Sequence, residues 1–223
     1  LFRSPVHLLE RGEVTKPLEQ MPPALPKVLA QMTDTPALLP TPFGGRKQLA
    51  LWLTRPEHPL TARVFVNRVW QWHFGRGIVE TPNDFGKMGL APSHPELLDW
   101  LATRFVADGW NIKNLHRLMM NSATYRQDSR FSGERQLMLD PDNRLLWRMN
   151  RRRLEAEALW DAVHATAGTL NLAIGGRPVV PPLAEDEIAP LRKKWHWVVS
   201  ADPVQHTRRG IYVLVRRNFK FPM

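Results

Sequence analysis

The sequence has 223 residues, of which 43% are hydrophobic and 23% charged, and its 31 Lys and Arg outnumber its 21 Asp and Glu to give a formal net charge of +10. This composition is typical of a globular protein that can bury a sizeable core without cross-links. The absence of cysteine excludes disulfides, Cys-ligated zinc, iron–sulfur clusters, haem attached through C-x-x-C-H and a catalytic thiol, and no apolar run approaches the roughly 20 residues of a membrane-spanning helix.

Residues 1–45 are predicted to form an extended, proline-rich arm. Ten of the 20 prolines fall within residues 1–59, and proline fixes φ and lacks an amide donor. The sequence begins neither with Met nor with a signal peptide, so we expect it to be a piece of a longer protein. We assign residues 46–223 to a single, mainly helical domain.

Apolar periodicity predicts a short helix from Lys47 to Thr54 and a longer one from about Pro59 to Phe74. The longer helix has an apolar face, which includes His73 as a structural histidine. Its opposite, polar face is predicted to carry Arg63, Asn67, Arg68 and Gln71.

The next helix is predicted to begin at a capping box, in which Ser93 caps the helix, Glu96 returns the hydrogen bond and Pro95 lies in the first turn. Gly109 is the expected left-handed stop. A second helix is predicted after Asn111, so residues 108–111 form a tight corner and the two helices pack as a pair.

Another helix is predicted from about Arg151 to Ala167, with Asn150 as its cap. Residues 195–199 and 211–215 are rich in β-branched and aromatic residues, which predicts strands. The fold class is therefore mainly α, an irregular helical domain with an extended proline-rich N-terminal arm and a small β element near the C-terminus.

Familiar catalytic and metal-binding motifs are missing from the sequence. No two of its eight histidines are three or four residues apart, and there is no G-x-S-x-G or phosphate-binding loop. A site assembled from distant segments stays open. We predict no catalytic residue, no metal site and no cofactor in this chain, and we favour a non-enzymatic role.

One local conflict indicates a candidate ligand site. Arg151, Arg152 and Arg153 would occupy the first turn of the predicted helix, where the macrodipole disfavours cations, and Arg148 lies just upstream. Such a conflict points to an ion-pair network within the chain, to an external anionic ligand, or to a solvated run of charges. The carboxylates suggested as partners within the chain are Glu80, Asp84 and Asp128.

The candidate anion- or ligand-binding residues combine these arginines with polar residues near residue 93. The set is Arg148, Arg151, Arg152, Arg153, Asn83, Asp84 and His94. Their convergence on one pocket with strongly shifted pKa values would count against a non-catalytic role.

Six stretches of the sequence, in order along most of its length, closely resemble the planctomycete-specific cytochrome-associated domain, a family without an established function. They are residues 67–79 (NRVWQWHFGRGIV), 81–86 (TPNDFG), 93–101 (SHPELLDWL), 122–127 (SATYRQ), 145–157 (LLWRMNRRRLEAE) and 208–212 (RRGIY).

The resemblance implies the C-terminal part of a large exported bacterial protein with c-type cytochrome-like domains upstream. Because this chain lacks C-x-x-C-H, any haem would belong to those domains. The family pattern normally continues past the position of Met223, which implies a domain truncated at its C-terminus. The family has no assigned catalytic residues.

Our leading hypothesis is a non-catalytic interaction or scaffold module of an exported, cytochrome-linked multidomain protein, with the other domains of that protein as partners. One alternative is the binding or processing of an anionic polysaccharide, because Trp195 and Trp197 adjoin Lys193 and Lys194. A second alternative is nucleic-acid binding through the basic surface, which no recognisable nucleic-acid-binding motif supports.

Overall fold

The computed structural model describes residues 6–22, 24–32, 45–188 and 197–216. The chain divides into two compact units, Leu1–Arg151 and Arg152–Met223. The predicted division between an arm and a single domain at residue 45 stays a prediction.

The first unit is mainly helical and includes a small antiparallel sheet. The sheet contains β1 (His7–Leu9) and β2 (Pro17–Gln20). The helices are α1 (Lys27–Met32), α2 (Gly45–Leu53), α3 (Thr61–Phe74), α4 (Pro95–Ala107), α5 (Ile112–Met120) and α6 (Glu134–Leu139). None of the helices in the described ranges combines the length and apolarity that crossing a bilayer requires.

The second unit contains α7 (Ala156–Thr166) and the short helix α8 (Glu185–Ile188). Two single turns of 3-10 helix lie at Pro203–Gln205 and Gly210–Tyr212. Isolated parallel bridges join Asn171 to Arg208 and Val179 to Val213.

The predicted class, mainly α with a small β element, is confirmed. The position of the paired strands is different, since β1 and β2 lie in the N-terminal segment. The predicted strand at 211–215 forms only the bridge of Val213 to Val179, because the chain enters a 3-10 turn at Gly210 instead of extending along a partner. Of the other predicted strand, residues 195–199, the described part is Trp197, Val198 and Val199, which form no strand, and residues 195–196 lie outside the described residues.

The core of the first unit forms where α3, α4 and α5 pack together. The buried faces of these helices follow the predicted periodicity. They comprise Val66, Val69, Trp70 and Phe74 of α3, Leu98, Leu101 and Phe105 of α4, and Leu115 and Met119 of α5. The rings of Phe65 and Phe105 stack across this core with their centroids 5.1 Å apart.

The corner between α4 and α5 is confirmed in detail. Gly109 adopts the left-handed conformation with φ of 67°, and Trp110 follows with φ of 60°. Asn111 then caps α5, because its side-chain oxygen accepts a hydrogen bond from the amide of Asn114 at 3.1 Å. The turn between α4 and α5 therefore forms from residues that the sequence alone identifies.

Two predictions about side chains near α3 and α4 are wrong. Asn67 is fully buried rather than solvent-facing, because its amide group satisfies the backbone of Val79 with hydrogen bonds of 2.8 and 3.0 Å. The N-cap of α4 is His94 rather than Ser93. The Ser93 hydroxyl instead donates to the carbonyl of Ile78 at 3.3 Å.

In the second unit, residues 208–210 are attached to α7. The indole of Trp160 donates to the carbonyl of Arg208 at 2.9 Å. The carboxylate of Asp161 accepts from the Nε of Arg209 at 2.9 Å and from the amide of Gly210 at 2.6 Å. The RRG stretch at 208–210 is therefore a structural connection to α7.

Candidate functional site

A cleft of about 630 Å³ opens between α4 and α5 in the first unit. Trp70, Leu101 and Met119 are buried in the core and line the cleft. Leu97 and Leu118 also line it, and Leu118 is 37% exposed. The cleft exists because α4 and α5 turn their inner faces onto α3, which leaves the side chains at their margins facing each other.

The margin of the cleft is aromatic and charged. Trp100 lines the cleft and is 53% exposed, so its indole ring borders both the cleft and solvent. Arg104 Nε lies 3.1 Å from the carboxylate of Asp108. Arg117 Nη1 donates to Asn114 Oδ1 at 3.2 Å and forms no ion pair within the described residues. The margin therefore carries one positive charge that no carboxylate there neutralises.

Two histidines from distant parts of the chain meet in the same unit. His73 Nε2 and His116 Nδ1 are 2.7 Å apart, and the ring of Tyr125 contacts His73 edge-on at 5.6 Å. A hydrogen bond between two imidazoles needs one bare nitrogen as acceptor, so it breaks when both rings are protonated. Within the described residues, no group of three or more His, Asp or Glu side chains is placed to hold a metal ion.

The polar residues proposed from the sequence near residue 93 have local partners. Asn83 Oδ1 accepts from Arg68 Nη2 at 3.1 Å. Asp84 Oδ1 accepts from the amide of Gly86 at 2.8 Å, which closes a turn. His94 Nδ1 lies 2.9 Å from the hydroxyl of Ser93. Among the described residues of this unit, no hydrogen bond joins Asn83, Asp84 and His94 to one another.

The side chain of Arg148 is half-buried and contacts other residues of the first unit. Its guanidinium carbon lies 4.5 Å from the centroid of the Trp147 ring, and its Nη1 donates to the carbonyl of Phe131 at 3.4 Å. Stacking on the Trp147 ring and the hydrogen bond to the carbonyl of Phe131 are enough to explain the position of this guanidinium group. A ligand at Arg148 stays a prediction.

The helix predicted to start at Arg151 starts at Ala156, so the proposed conflict with the macrodipole is wrong. Residues 151–155 are exposed and lie outside any helix or strand, and Glu155 is the N-cap with φ of −67° and ψ of 150°. This start places Glu157 in the first turn, where a negative charge is favourable. The predicted cap Asn150 instead donates to the carbonyl of Phe74 at 3.0 Å.

The carboxylates suggested as partners of the arginines have other contacts. Glu80 pairs with Arg76 at 3.3 Å and with Arg144 at 3.2 Å. Asp128 pairs with Arg130 at 3.6 Å. The ligand-binding role proposed for Arg151, Arg152 and Arg153 stays a prediction.

Sequence reasoning missed both the cleft and the histidine pair. The two histidines are 43 residues apart, and no local spacing reveals such a contact. For the cleft, one signal was present: Trp100 lies among the polar positions of α4, opposite the apolar stripe. A large aromatic residue there is a recognisable sign of an interaction surface.

The sequence model of one protein family, PSD1, described as a protein of unknown function (DUF1553), matches residues 45–223. No curated protein and no solved structure shows significant similarity to the chain.

Proposed function

The chain belongs to the PSD1 family of unknown function, and from that premise we propose that it is a non-catalytic interaction module whose first unit binds an apolar segment of another protein domain in the cleft between α4 and α5. The observation that carries this proposal is the half-exposed Trp100 above an apolar floor, beside the positive charge of Arg117.

The residues that line the cleft are of the types expected in a protein-binding surface. Its floor is apolar, and its margin carries a tryptophan and two arginines, Arg104 and Arg117. Tryptophan and arginine dominate the binding energy of many protein interfaces because each buries a large area while keeping a polar group for orientation. A volume of about 630 Å³ holds several apolar side chains of a bound segment.

Charge indicates the chemistry of the occupant. Arg104 already pairs with Asp108, whereas Arg117 donates to the neutral amide of Asn114 and forms no ion pair within the described part of the chain. A bound segment gains most by placing a carboxylate at Arg117 and apolar side chains on Trp70 and Met119. The proposed occupant is therefore an amphipathic peptide segment with an acidic residue at one end, the groove-binding mode of peptide recognition.

The resemblance described above supports a setting for this module. We propose that it belongs to an exported multidomain protein with c-type cytochrome domains, and that those domains supply the bound segment. Haem, on this proposal, is held by those domains.

The polysaccharide alternative loses one of its two proposed aromatic contacts. Trp197 is only 4% exposed, and its indole donates to the carbonyl of Pro181 at 2.9 Å. Trp195 lies outside the described residues. Nucleic-acid binding still has only the net charge of +10 in its favour. Its affinity would fall steeply between low and moderate salt.

The experiment is a selection from a random peptide library displayed on phage, with the full chain as bait. We expect enriched peptides to combine apolar residues with Asp or Glu, and Trp100→Ala to weaken their binding by about tenfold or more. Arg117→Gln should weaken acidic peptides selectively.

The matched control is Trp72→Ala, because Trp72 is a tryptophan of α3 that is 61% exposed and does not line the cleft. This variant should bind the selected peptides like the unmodified chain. Equal binding by Trp100→Ala and the unmodified chain would overturn the proposal.

A further inference from the structure

The second unit contains a buried arginine that forms no ion pair with any described residue. Arg208 is only 4% exposed. Its Nη2 donates to the carbonyl of Ala173 at 3.0 Å and to the carbonyl of Gly175, and its guanidinium carbon lies 3.9 Å from the centroid of the Tyr212 ring. These contacts fix the guanidinium group in one orientation.

Neutral acceptors leave the charge of Arg208 uncompensated. The guanidinium group forms no ion pair within the described residues, and its Nε is buried without an acceptor. The neighbouring Arg209 shows the usual solution, because its Nε lies 2.9 Å from the carboxylate of Asp161. Burying a cation without a counter-ion is strongly unfavourable, so a buried cation normally has an anion close by.

Arg208 lines a pocket of about 350 Å³ whose other walls come from the turn at Gly175 and Gly176 and from Ser200. The wall that faces the guanidinium is bare backbone, since a Cβ built on Gly176 would lie 3.5 Å from Arg208 Nη1. Nη1 donates to no acceptor among the described residues. A free donor therefore lies beside an open space.

The other polar groups of the pocket favour a negative ligand. Arg177 lines it and is exposed, and no Asp or Glu is among the lining residues. The Ser200 hydroxyl accepts a hydrogen bond from the amide of Val180 at 3.0 Å, which leaves its own proton available for donation. The polar side chains among the described lining residues are thus two cations, one hydroxyl and the amide of Gln205, with no carboxylate among them.

We propose that this pocket binds an oxyanion group, a carboxylate, sulfate or phosphate, through Nη1 of Arg208, with Arg177 and the hydroxyl of Ser200 as further donors. Charge-assisted hydrogen bonds of this kind are the strongest that a guanidinium forms in proteins. The proposal concerns the second unit and does not depend on the peptide-binding cleft of the first.

The experiment follows the Nε–H signals of the arginine side chains by NMR on the full ¹⁵N-labelled chain. The anions are inorganic sulfate, inorganic phosphate and galacturonate, each added at constant ionic strength against sodium chloride. We expect a saturable shift of the Arg208 Nε–H signal with a Kd on the order of 1 mM for the preferred anion. Tighter binding of galacturonate identifies an acidic sugar, and tighter binding of sulfate or phosphate identifies a free anion or an ester.

Arg177→Ala should weaken binding by about threefold to tenfold, because it removes an exposed charge at the pocket. Arg153→Ala is the matched control, since Arg153 is also an exposed arginine of this unit and is not among the pocket-lining residues. Its Kd should stay unchanged. The proposal is overturned if no saturable shift appears up to about 100 mM anion, or if both variants weaken binding equally.

Discussion

The side chain of Asn67 and the backbone of Val79 form a closed pair of hydrogen bonds inside the first unit. Asn67 Nδ2 donates to the carbonyl of Val79 at 3.0 Å, and the amide of Val79 donates to Asn67 Oδ1 at 2.8 Å. The side-chain amide of Asn67 therefore pairs with the backbone of Val79 as the peptide group of an adjacent strand would. It holds the segment that leaves α3 against the helix itself.

Replacement of Asn67 should destabilise the first unit strongly. Asn67→Ala leaves the amide and the carbonyl of Val79 buried without partners, and we expect a loss of about 2–4 kcal/mol in the free energy of unfolding. Urea denaturation followed by tryptophan fluorescence measures this loss. Asn83→Ala is the control, because Asn83 is exposed and its removal should cost less than about 0.5 kcal/mol. Similar losses in both variants would contradict this reading of Asn67.

The stability of the first unit should fall as the pH is lowered below about 6.5, the ordinary pKa of histidine. His58 is 5% exposed, and burial lowers its pKa. Its Nδ1 also accepts from the amide and the hydroxyl of Thr61, at 3.1 and 2.9 Å. The unfolded chain therefore takes up this proton first, and the stability that neutral His58 contributes is lost as the pH falls through its lowered pKa.

His58→Asn tests this dependence, since its side-chain oxygen can still accept from Thr61 and carries no titratable proton. Between pH 7 and pH 5 the melting temperature of this variant should change by a few degrees less than that of the unmodified chain. His94→Asn is the control, and its melting temperature should change between pH 7 and pH 5 by as much as that of the unmodified chain. Parallel pH profiles of His58→Asn and the unmodified chain would rule the mechanism out.

A side chain at Gly210 should disrupt the second unit. A Cβ built there would lie 2.7 Å from the Cα of Glu157 in α7, and backbone cannot give way as a side chain can. We expect Gly210→Ala to cost about 2–4 kcal/mol, measured by calorimetry. At Gly86, the same substitution meets only a side-chain oxygen of Asp84 at 3.2 Å, so Gly86→Ala should cost much less.

The attachment of residues 209 and 210 to α7 should weaken in acid. Partial burial raises the pKa of Asp161, but the hydrogen bonds from the Gly210 amide and from Arg209 outweigh it, so the pKa lies below its usual value. This contribution is present above about pH 4 and is lost as the pH falls through the lowered pKa.

Asp161→Asn should therefore lower the melting temperature by a few degrees at pH 7, and the difference from the unmodified chain should shrink toward pH 2. Asp202→Asn serves as the comparison, because Asp202 accepts from the amide of Val204 at 3.0 Å and from Gln205 Nε2 at 3.2 Å and forms no ion pair within the described residues. A difference that stays constant down to pH 2 would show that the ionised carboxylate contributes nothing.

The sequence predicted those parts of the fold that depend on neighbours along the chain. The helices at 45–53 and 61–74 and the corner at Gly109 and Asn111 follow from apolar spacing, a left-handed glycine and a capping asparagine. Each of these signals acts within one or two helical turns, so a pattern of a few residues is enough to recognise it.

The errors concern interactions between distant segments. Apolar periodicity predicts Asn67 on the polar face of α3. Its side chain is buried instead, because its amide group hydrogen-bonds to the backbone of Val79. The periodicity predicts a helix from Arg151, but the helix starts five residues later, at Ala156. The cleft at Trp100 and the environment of Arg208 depend on which segments pack together. Composition and spacing carry little of that information.

Three consecutive arginines lie at the boundary between the two units. Arg151, Arg152 and Arg153 are exposed and lie outside any helix or strand. Trypsin cleaves after arginine and accepts its substrates in extended form, and exposed loops are the usual sites of such cuts. Brief digestion of the native chain should therefore give two large fragments that meet near residue 152. Each of them is a ready starting point for studying the cleft and the oxyanion pocket separately.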